Sequence, residues 1–132
     1  MHRFTDGINE HISDYKVLII DNIGLLSSVY KYGNIAYIGG GFGSGIHNTL
    51  EAAVFGMPIV FGPKYRMFKE ANDLINLKAA FSITNLIDLK VVFDKIKSDK
   101  ASLENTSLIS KNYVRNNTGA TDLILNHIQH FL

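Results

Sequence analysis

The segment with the clearest chemical potential is the glycine-rich run over residues 39–45, which is followed by His47, Asn48 and Glu51. Glycines let the backbone turn at positive φ and approach a ligand closely, with N–H groups free to point at it. The helix start after the run presents the positive end of its dipole, where phosphate binds well. A carboxylate one turn later suits ribose hydroxyls. The segment therefore predicts a site for a phosphate joined to a sugar.

The run differs from the two commonest nucleotide-binding motifs. A G-x-G-x-x-G fingerprint that begins at Gly41 would need glycine where Ile46 stands, and no G-K-[ST] sequence follows to form a P-loop. A glycine-rich turn that binds nothing therefore stays open as an alternative. The spacing of Asn48 and Glu51 also fits a capping box, in which Asn48 caps the helix and Glu51 reaches back. His47 is expected to form a local hydrogen bond or to donate to a phosphate.

Two further turns lie at the same predicted edge. The first turn begins at Asp21. One interpretation is that Asp21 or Asn22 caps the helix that follows, and the other is that the loop backbone contacts the base of a ligand. The second follows a strand at Gly62-Pro63, and there Lys64 and Arg66 are solvated charges or add positive charge for an anionic ligand. The sequence alone leaves both choices open.

Apolar runs alternate with segments of helical period along the chain, and the first 15 residues contain no strong strand. This order predicts a parallel sheet with right-handed crossovers and helices on both faces. The helical tail is expected to pack back on the sheet through Phe93, Ile96, Leu123, Ile124 and Ile128. The predicted strands cover residues 16–20, 35–38, 58–61 and 79–83, and the first of them is expected to be buried on both faces. The predicted helices cover 25–32, 48–55 and 67–77, with two or three more from 86 to 132 and breaks near 98–99 and 116–118.

Composition limits the function classes. The 132 residues amount to one domain, and 46% hydrophobic with 19% charged residues excludes a disordered segment. A mean hydropathy of +0.08 excludes a membrane-embedded chain. A net charge of +1 gives no reason to expect nucleic acid, and the absence of cysteine excludes disulfides and thiolate chemistry. The histidines show no metal-ligand spacing. We expect a cytosolic or cytosol-facing domain.

At this point the residues resemble a known family. The glycine-rich segment, the His47-Asn48 to Glu51 run and the Gly62-Pro63 turn together resemble the carboxy-terminal half of 3-deoxy-D-manno-octulosonic acid (Kdo) transferases. These enzymes are GT-B glycosyltransferases of lipopolysaccharide synthesis. The resemblance covers roughly residues 16 to 125. The matching residues are Asp21, Gly24 and Leu26, then Gly39-Gly40, His47-Asn48, Leu50-Glu51, Ala53, Gly56, Pro58, Phe61-Gly62-Pro63, Phe68 and Glu70, and finally Tyr113-Val-Arg115 and Gly119-Ala120.

The resemblance implies a Rossmann-like, three-layer α/β domain with a mostly parallel sheet, which binds the donor CMP-Kdo and its product CMP. Residues 1–132 are then one domain, a fragment without its amino-terminal acceptor domain. Glu51 is expected on the ribose. The donor-binding residues that follow from the resemblance and the loop are Ile23, Gly24, Leu25, Gly40, Gly41, Gly43, Gly45, His47, Asn48, Thr49, Leu50 and Glu51.

The resemblance further implies that the catalytic base and the lipid A precursor acceptor belong to the missing domain, so no catalytic residue is assigned here. It implies no metal and no cofactor, and it places the whole enzyme at the cytoplasmic face of the bacterial inner membrane.

The sequence departs from the family pattern at three points. Leu25 stands where the family commonly has glutamate, and the loop before His47 lacks the family's arginine. The family's first carboxy-domain strand is expected to lie before Met1. Two alternatives remain: a GT-B donor domain for a UDP- or GDP-sugar, and a non-catalytic Rossmann-like interaction domain.

Overall fold

The computed structural model describes residues 1–7 and 11–129, without the side chain of Ile12. The chain forms two compact units, one up to Gly33 and one from Asn34 onward. Each unit is described by itself below. The prediction of one domain over the whole chain stays a prediction.

The first unit contains a two-stranded parallel sheet, in which His2 pairs with Leu18 and Arg3 with Ile19. The first 15 residues were expected to contain no strong strand, and the strand found there is only two residues long. Two residues are too short a run to show an apolar period, so only the partner strand was visible in sequence. The elements of this unit are β1 (His2–Arg3), two 3₁₀ turns (Phe4–Asp6 and Ile12–Asp14), β2 (Leu18–Ile19) and α1 (Leu26–Tyr30).

The run over residues 16–20 was predicted as a strand buried on both faces within one sheet. It contains only β2, and Val17 and Leu18 are about half exposed, at 51% and 48%. The strand pairs with β1 in a sheet of its own, while the next three strands form another sheet. The prediction of full burial for this run is wrong, because β2 does not join the three-stranded sheet, whose central strand is covered on both faces.

The second unit is built on a three-stranded parallel sheet in the order β3-β4-β5. Ala36 lies opposite Ile59, and Ile59 lies opposite Ala80. A short helix follows each of the first two strands, as the alternation of apolar runs predicted. The elements are β3 (Ala36–Ile38), α2 (Leu50–Val54), β4 (Ile59–Phe61), α3 (Lys69–Asn76) and β5 (Ala80–Ser82).

The central strand β4 lies in the core of this unit. Its residues Ile59, Val60 and Phe61 are completely buried, as expected for a parallel strand covered on both faces. The covering helices present small side chains, because Ala52 and Ala53 of α2 and Ala71 and Leu74 of α3 are fully buried as well. Close packing on the sheet therefore holds α2 and α3 in place, and with them the loops that precede them.

Three helices complete the unit: α4 (Leu86–Ser98), α5 (Lys100–Asn116) and α6 (Ala120–Ile128). Asn85 caps α4 by accepting from the Asp88 N–H at 2.9 Å, and Asp99 caps α5 by accepting from the Ser102 N–H at 3.0 Å. The Asp99 cap lies at the break predicted near 98–99, and α5 ends at Asn116, at the break predicted near 116–118. In the described part of the chain, no helix combines the length and the apolar character that a membrane crossing needs.

The predicted packing of the tail on the sheet is only partly correct. Ile96 of α4 is buried at 3% exposure, whereas Phe93 is 40% exposed. On α6, Leu123 and Ile124 are 73% and 58% exposed, and no residue of that helix is buried. Helical spacing of apolar residues indicates which face a helix would bury, but it does not say that a partner covers that face.

Helix α3 ends in a turn that normally requires glycine. The Lys78 N–H donates to the Ile75 carbonyl at 3.0 Å, and the Ala79 N–H donates to the Leu74 carbonyl at 2.8 Å. This is the hydrogen-bond pattern of a Schellman motif. Lys78 occupies the left-handed position of this motif, at φ +62°. No other non-glycine residue in the described part of the chain has a positive φ. The protein therefore holds a lysine in a conformation that disfavours any side chain.

We expect Lys78→Gly to raise the free energy of unfolding by about 0.5–1 kcal/mol, because the relief of left-handed strain exceeds the entropy that glycine adds to the unfolded chain. Urea unfolding measures the change. The matched control is Lys95→Gly inside α4, which should lower the free energy of unfolding by about 0.5–1 kcal/mol. Equal destabilisation by both substitutions would show that Lys78 is not strained.

Candidate functional site

The glycine-rich loop folds back on itself directly after β3. The N–H groups of Gly43 and Gly45 both donate to the Gly40 carbonyl, at 2.8 and 3.2 Å, and the His47 N–H donates to Gly39 at 3.2 Å. Gly40 has φ +87°, and a Cβ there would lie 2.1 Å from the Gly45 carbonyl oxygen. The loop thus needs glycine at position 40 for its own fold. The expectation that its N–H groups are free for a ligand is wrong for these three donors.

A second loop presses against the first one. A Cβ on Gly41 would lie 2.6 Å from the Gly62 nitrogen, and a Cβ on Gly62 would lie 2.6 Å from the Gly41 carbonyl carbon. The Lys64 N–H also donates to the Gly41 carbonyl at 2.9 Å. The loops that follow β3 and β4 are therefore joined backbone to backbone, with no room for a side chain between them.

The start of α2 is organised by Asn48. Its Oδ1 accepts from the Leu50 N–H at 2.9 Å, and its Nδ2 donates to Glu51 Oε1 at 3.1 Å. The predicted capping box is therefore wrong: the N-cap of α2 is Thr49, which makes no side-chain cap hydrogen bond, whereas Asn48 forms a local turn with Leu50 and Glu51 meets the Asn48 side chain rather than its backbone. Helix α2 spans only Leu50–Val54, shorter than the predicted 48–55. Its five residues sum to a small dipole, so side chains have to supply most of the site's polarity.

Asn48 and Leu50 line a pocket of about 210 Å³ together with the start of α3, and Glu51 is not among the residues that line it. The Thr49 side chain is only 4% exposed, yet its hydroxyl has no hydrogen-bond partner among the described residues. No enclosed side-chain nitrogen or oxygen of the described residues lacks a partner, so the Thr49 hydroxyl has to reach the pocket, where water or a ligand atom can bond to it. The lining residues are Ile46, His47, Asn48, Thr49, Leu50, Phe68 and Glu70.

Phe68 and Glu70 were part of the family motif but were not predicted as site residues. The structure brings both to the pocket, because the joined loops set the start of α3 beside residues 46–50. Gly45 meets Phe68 directly, since a Cβ on this glycine would lie 3.1 Å from two carbons of the ring. The spacing of Phe and Glu after the Gly-Pro turn was the available signal.

Phe68 also lines a second pocket of about 310 Å³, together with Gly45, Lys64 and Arg66. Both basic side chains are exposed, as the solvated alternative predicted, and both are within this pocket's walls. Of the two pockets that share Phe68, one is thus lined by the Glu70 carboxylate and the other by the Lys64 and Arg66 cations. This arrangement suits a ligand that has hydroxyl groups at one end and negative charge at the other.

The remaining predicted residues, Ile23, Gly24 and Leu25, lie in the first unit just before α1. Gly24 has φ +91°, and Ile23 is completely exposed. Asp21 does not cap α1, whose N-cap is Leu25. Its carboxylate instead accepts hydrogen bonds from the N–H and the hydroxyl of Thr5, at 3.1 and 2.6 Å, and these bonds hold the pKa of Asp21 below its usual value.

A partly exposed hydrogen-bond network anchors α3 and therefore positions Glu70. The Tyr113 hydroxyl of α5 donates to Asp73 at 2.8 Å, and Lys69 donates to the same carboxylate. Hydrogen bonds from Lys69 and Tyr113 lower the pKa of Asp73. Burial, followed by the hydrogen bond to Asp73, raises the pKa of Tyr113 to about 12. Among the described residues, no group of three histidine or acidic side chains has the geometry of a metal site.

The chain has relatives of known name. No family model matches the chain. A 3-deoxy-D-manno-octulosonic acid transferase from Rickettsia felis is 33% identical over 119 residues, which cover 88% of this chain and 26% of the relative. The enzyme of the same name from Chlamydia trachomatis serovar D is 34% identical over 89 residues, which cover 65% of this chain and 21% of the relative.

A solved structure shares the fold. The crystal structure of the C-terminal CMP-Kdo binding domain of WaaA from Acinetobacter baumannii matches with a TM-score of 0.74 over 86% of this chain and 60% of that chain, at 23% identity. Fold and loops together define a Rossmann-like α/β domain of the GT-B carboxy-terminal kind. By sequence, the chain belongs to the 3-deoxy-D-manno-octulosonic acid transferase family. The chain spans about a quarter of the length of the curated relatives it matches.

The anchoring network predicts a specific loss of stability in alkali. An unfolded tyrosine ionises at its ordinary pKa of 10.0, whereas Tyr113 in the folded protein ionises at about 12. The stabilisation is therefore complete below pH 10 and is lost as the pH rises toward 12. We expect Tyr113→Phe to flatten the fall of unfolding free energy across this range in urea titrations. The control Tyr32→Phe removes a tyrosine that is 76% exposed and should leave the slope unchanged; equal slopes for both variants would contradict the assignment.

Proposed function

We propose that this chain forms the donor site for CMP-Kdo in an enzyme that transfers Kdo to a lipid A precursor during lipopolysaccharide synthesis. Family membership supports the reaction class. The observation that carries the site is the pocket formed by residues 46–50 with Phe68 and Glu70, into which the buried Thr49 hydroxyl opens without a partner. CMP is the part of the donor that this pocket would hold.

The ribose end of the nucleotide is assigned to the carboxylates. A ribose diol donates hydrogen bonds, and Glu51 and Glu70 are acceptors near the two helix starts. Asn48 already holds Glu51 in place through its side-chain amide. Thr49 adds a hydroxyl that both donates and accepts. Carboxylates repel phosphate, so the phosphate belongs at the other end of the site.

The phosphate end is assigned to cations rather than to the loop amides. Three loop N–H groups are already used inside the loop. Lys64 and Arg66 line the second pocket, which shares Phe68 with the first, and His47 lies between the loop and Asn48. These side chains would replace the positive charge of the arginine that the loop lacks. They would stabilise the phosphate as the bond between the Kdo anomeric carbon and the phosphate oxygen breaks.

No catalytic residue is assigned in this chain. The base that deprotonates the acceptor hydroxyl, and the contacts to the lipid A precursor, are proposed to lie outside these residues in the same enzyme. A GT-B reaction takes place in the cleft between two domains, so this chain would position the leaving group while the other domain supplies the acceptor. We further propose that the whole enzyme works at the cytoplasmic face of the inner membrane and needs no metal or cofactor.

The proposal predicts a nucleotide preference that calorimetric titration can measure. CMP should bind more tightly than UMP or GMP. A preference for UMP or GMP would favour a donor domain for another sugar nucleotide, and no binding by the folded protein would favour a non-catalytic domain. Glu51→Ala should weaken CMP binding about tenfold, the size of one hydrogen bond to a charged group, while the fold is retained.

The matched control is Glu104→Ala, which removes an exposed carboxylate paired with Lys100 on α5 and should leave CMP affinity unchanged. If Glu51 acted only in helix capping, Glu51→Ala would lower the unfolding free energy by about 1 kcal/mol and leave CMP affinity as it was. That outcome would contradict its assignment to the ribose.

A further inference from the structure

A second polar pocket lies at the opposite edge of the three-stranded sheet. It has a volume of about 350 Å³ and is formed where α3 ends and β5 begins, with α4 and α5 as its other walls. The donor pocket lies beyond the carboxyl ends of β3 and β4, so the two pockets share no residue. The lining residues are Ile75, Lys78, Ala80, Phe81, Lys95, Ser102, Asn105 and Thr106.

The pocket has an unbalanced positive charge. Lys78 and Lys95 line it, and no carboxylate does. Neither ammonium group has an acidic partner within 4.0 Å among the residues that the structure describes, whereas Lys69, Lys90 and Lys100 all form such pairs. Lys95 instead lies over the ring of Phe81, with its Nζ 5.9 Å from the ring centre. Two unpaired ammonium groups at one cavity attract an anion.

Helix α5 presents three polar side chains to the same cavity. Ser102, Asn105 and Thr106 are three and four residues apart, which places them on one helix face. Thr106 is only 5% exposed, and its hydroxyl has no hydrogen-bond partner in the described chain. No fully enclosed side-chain nitrogen or oxygen of the described residues is left without a partner, so the Thr106 oxygen has to reach the cavity. The Thr106 hydroxyl is therefore available to a molecule in the cavity, which is water or a ligand.

We propose that this pocket binds a phosphate monoester. A phosphate dianion matches the two ammonium groups, and its oxygens accept from the Ser102 and Thr106 hydroxyls and the Asn105 amide. Phe81 and Ile75 offer apolar surface to the organic part of the ester. The cavity volume lies at the lower end of the range of about 300–1,000 Å³ for small-molecule sites, which suits a compact ligand. Lys78 adopts its left-handed conformation at the rim of this cavity.

The test is an amide chemical-shift titration of the protein with glycerol 1-phosphate, and with inorganic phosphate as a second probe. Saturable shifts should appear around residues 78–81 and 102–106. Lys78→Gln and Lys95→Gln should each weaken binding about tenfold, the loss expected for one charge-assisted hydrogen bond. Lys97→Gln is the matched control, because Lys97 lies on the same helix as Lys95 but lines a different groove. It should bind as the unsubstituted protein does.

The buried hydroxyl provides a second comparison. Thr106→Val keeps the shape of the side chain and should weaken binding, whereas Thr106→Ser keeps the hydroxyl and should retain it. Chemical shifts that do not saturate would overturn the proposal. So would a loss of phosphate-ester affinity in Lys97→Gln as large as the loss in Lys78→Gln. CMP also carries a phosphate monoester, so CMP affinity is measured in parallel. Lys78→Gln should leave the CMP affinity that depends on Glu51 unchanged, which separates this pocket from the donor site.

Sedimentation with lipid vesicles tells whether the phosphate ester is a lipid headgroup or a soluble metabolite. Sedimentation with vesicles of phosphatidic acid in phosphatidylcholine, lost in Lys78→Gln and absent with phosphatidylcholine alone, would assign the pocket to a lipid headgroup. Saturable binding of glycerol 1-phosphate without such sedimentation would assign it to a soluble metabolite. Failure of both the soluble probes and the vesicles to bind would overturn the proposal.

Discussion

The backbone contact between Gly41 and Gly62 is the constraint on which the candidate donor site depends. It joins the loops that follow two adjacent parallel strands, at a distance that leaves no room for a Cβ on either residue. Each loop leads into a short helix, and the first turns of those helices carry the polar side chains of the site. Fixing the loops to each other therefore fixes Asn48, Thr49 and Glu70 around one pocket.

The packing of α2 and α3 on the sheet, and the tie between α3 and α5, hold the two loops in this contact. The fully buried strand β4 and the small residues of α2 and α3 let the helices lie close to the sheet. Tyr113 and Asp73 then tie α3 to the long helix α5. The polar side chains of the site are consequently held in place by an apolar core of strand and helix residues. A rigid scaffold positions binding residues on loops in this way.

Much of this fold could be predicted from the sequence, since the apolar runs of β3, β4 and β5 are bounded by glycine, proline and asparagine. The strand β1 was missed because two residues have no detectable period. The use of loop N–H groups within the loop, and the approach of Gly41 to Gly62, were also missed. Both result from contacts between residues distant in sequence or from backbone geometry, which local spacing does not determine. For the same reason Phe68 and Glu70 were seen as motif residues but not as part of the pocket.

The most direct measurement compares Gly41→Ala with Gly43→Ala in CMP binding and in urea unfolding. A Cβ at position 43 would make only an ordinary contact of 3.5 Å, so Gly43→Ala should retain both stability and CMP affinity. Gly41→Ala should force the two loops apart, lower the free energy of unfolding by about 1–3 kcal/mol, and weaken CMP binding in the protein that remains folded. If Gly41→Ala bound CMP and unfolded as Gly43→Ala does, the joined loops would not be what assembles the site.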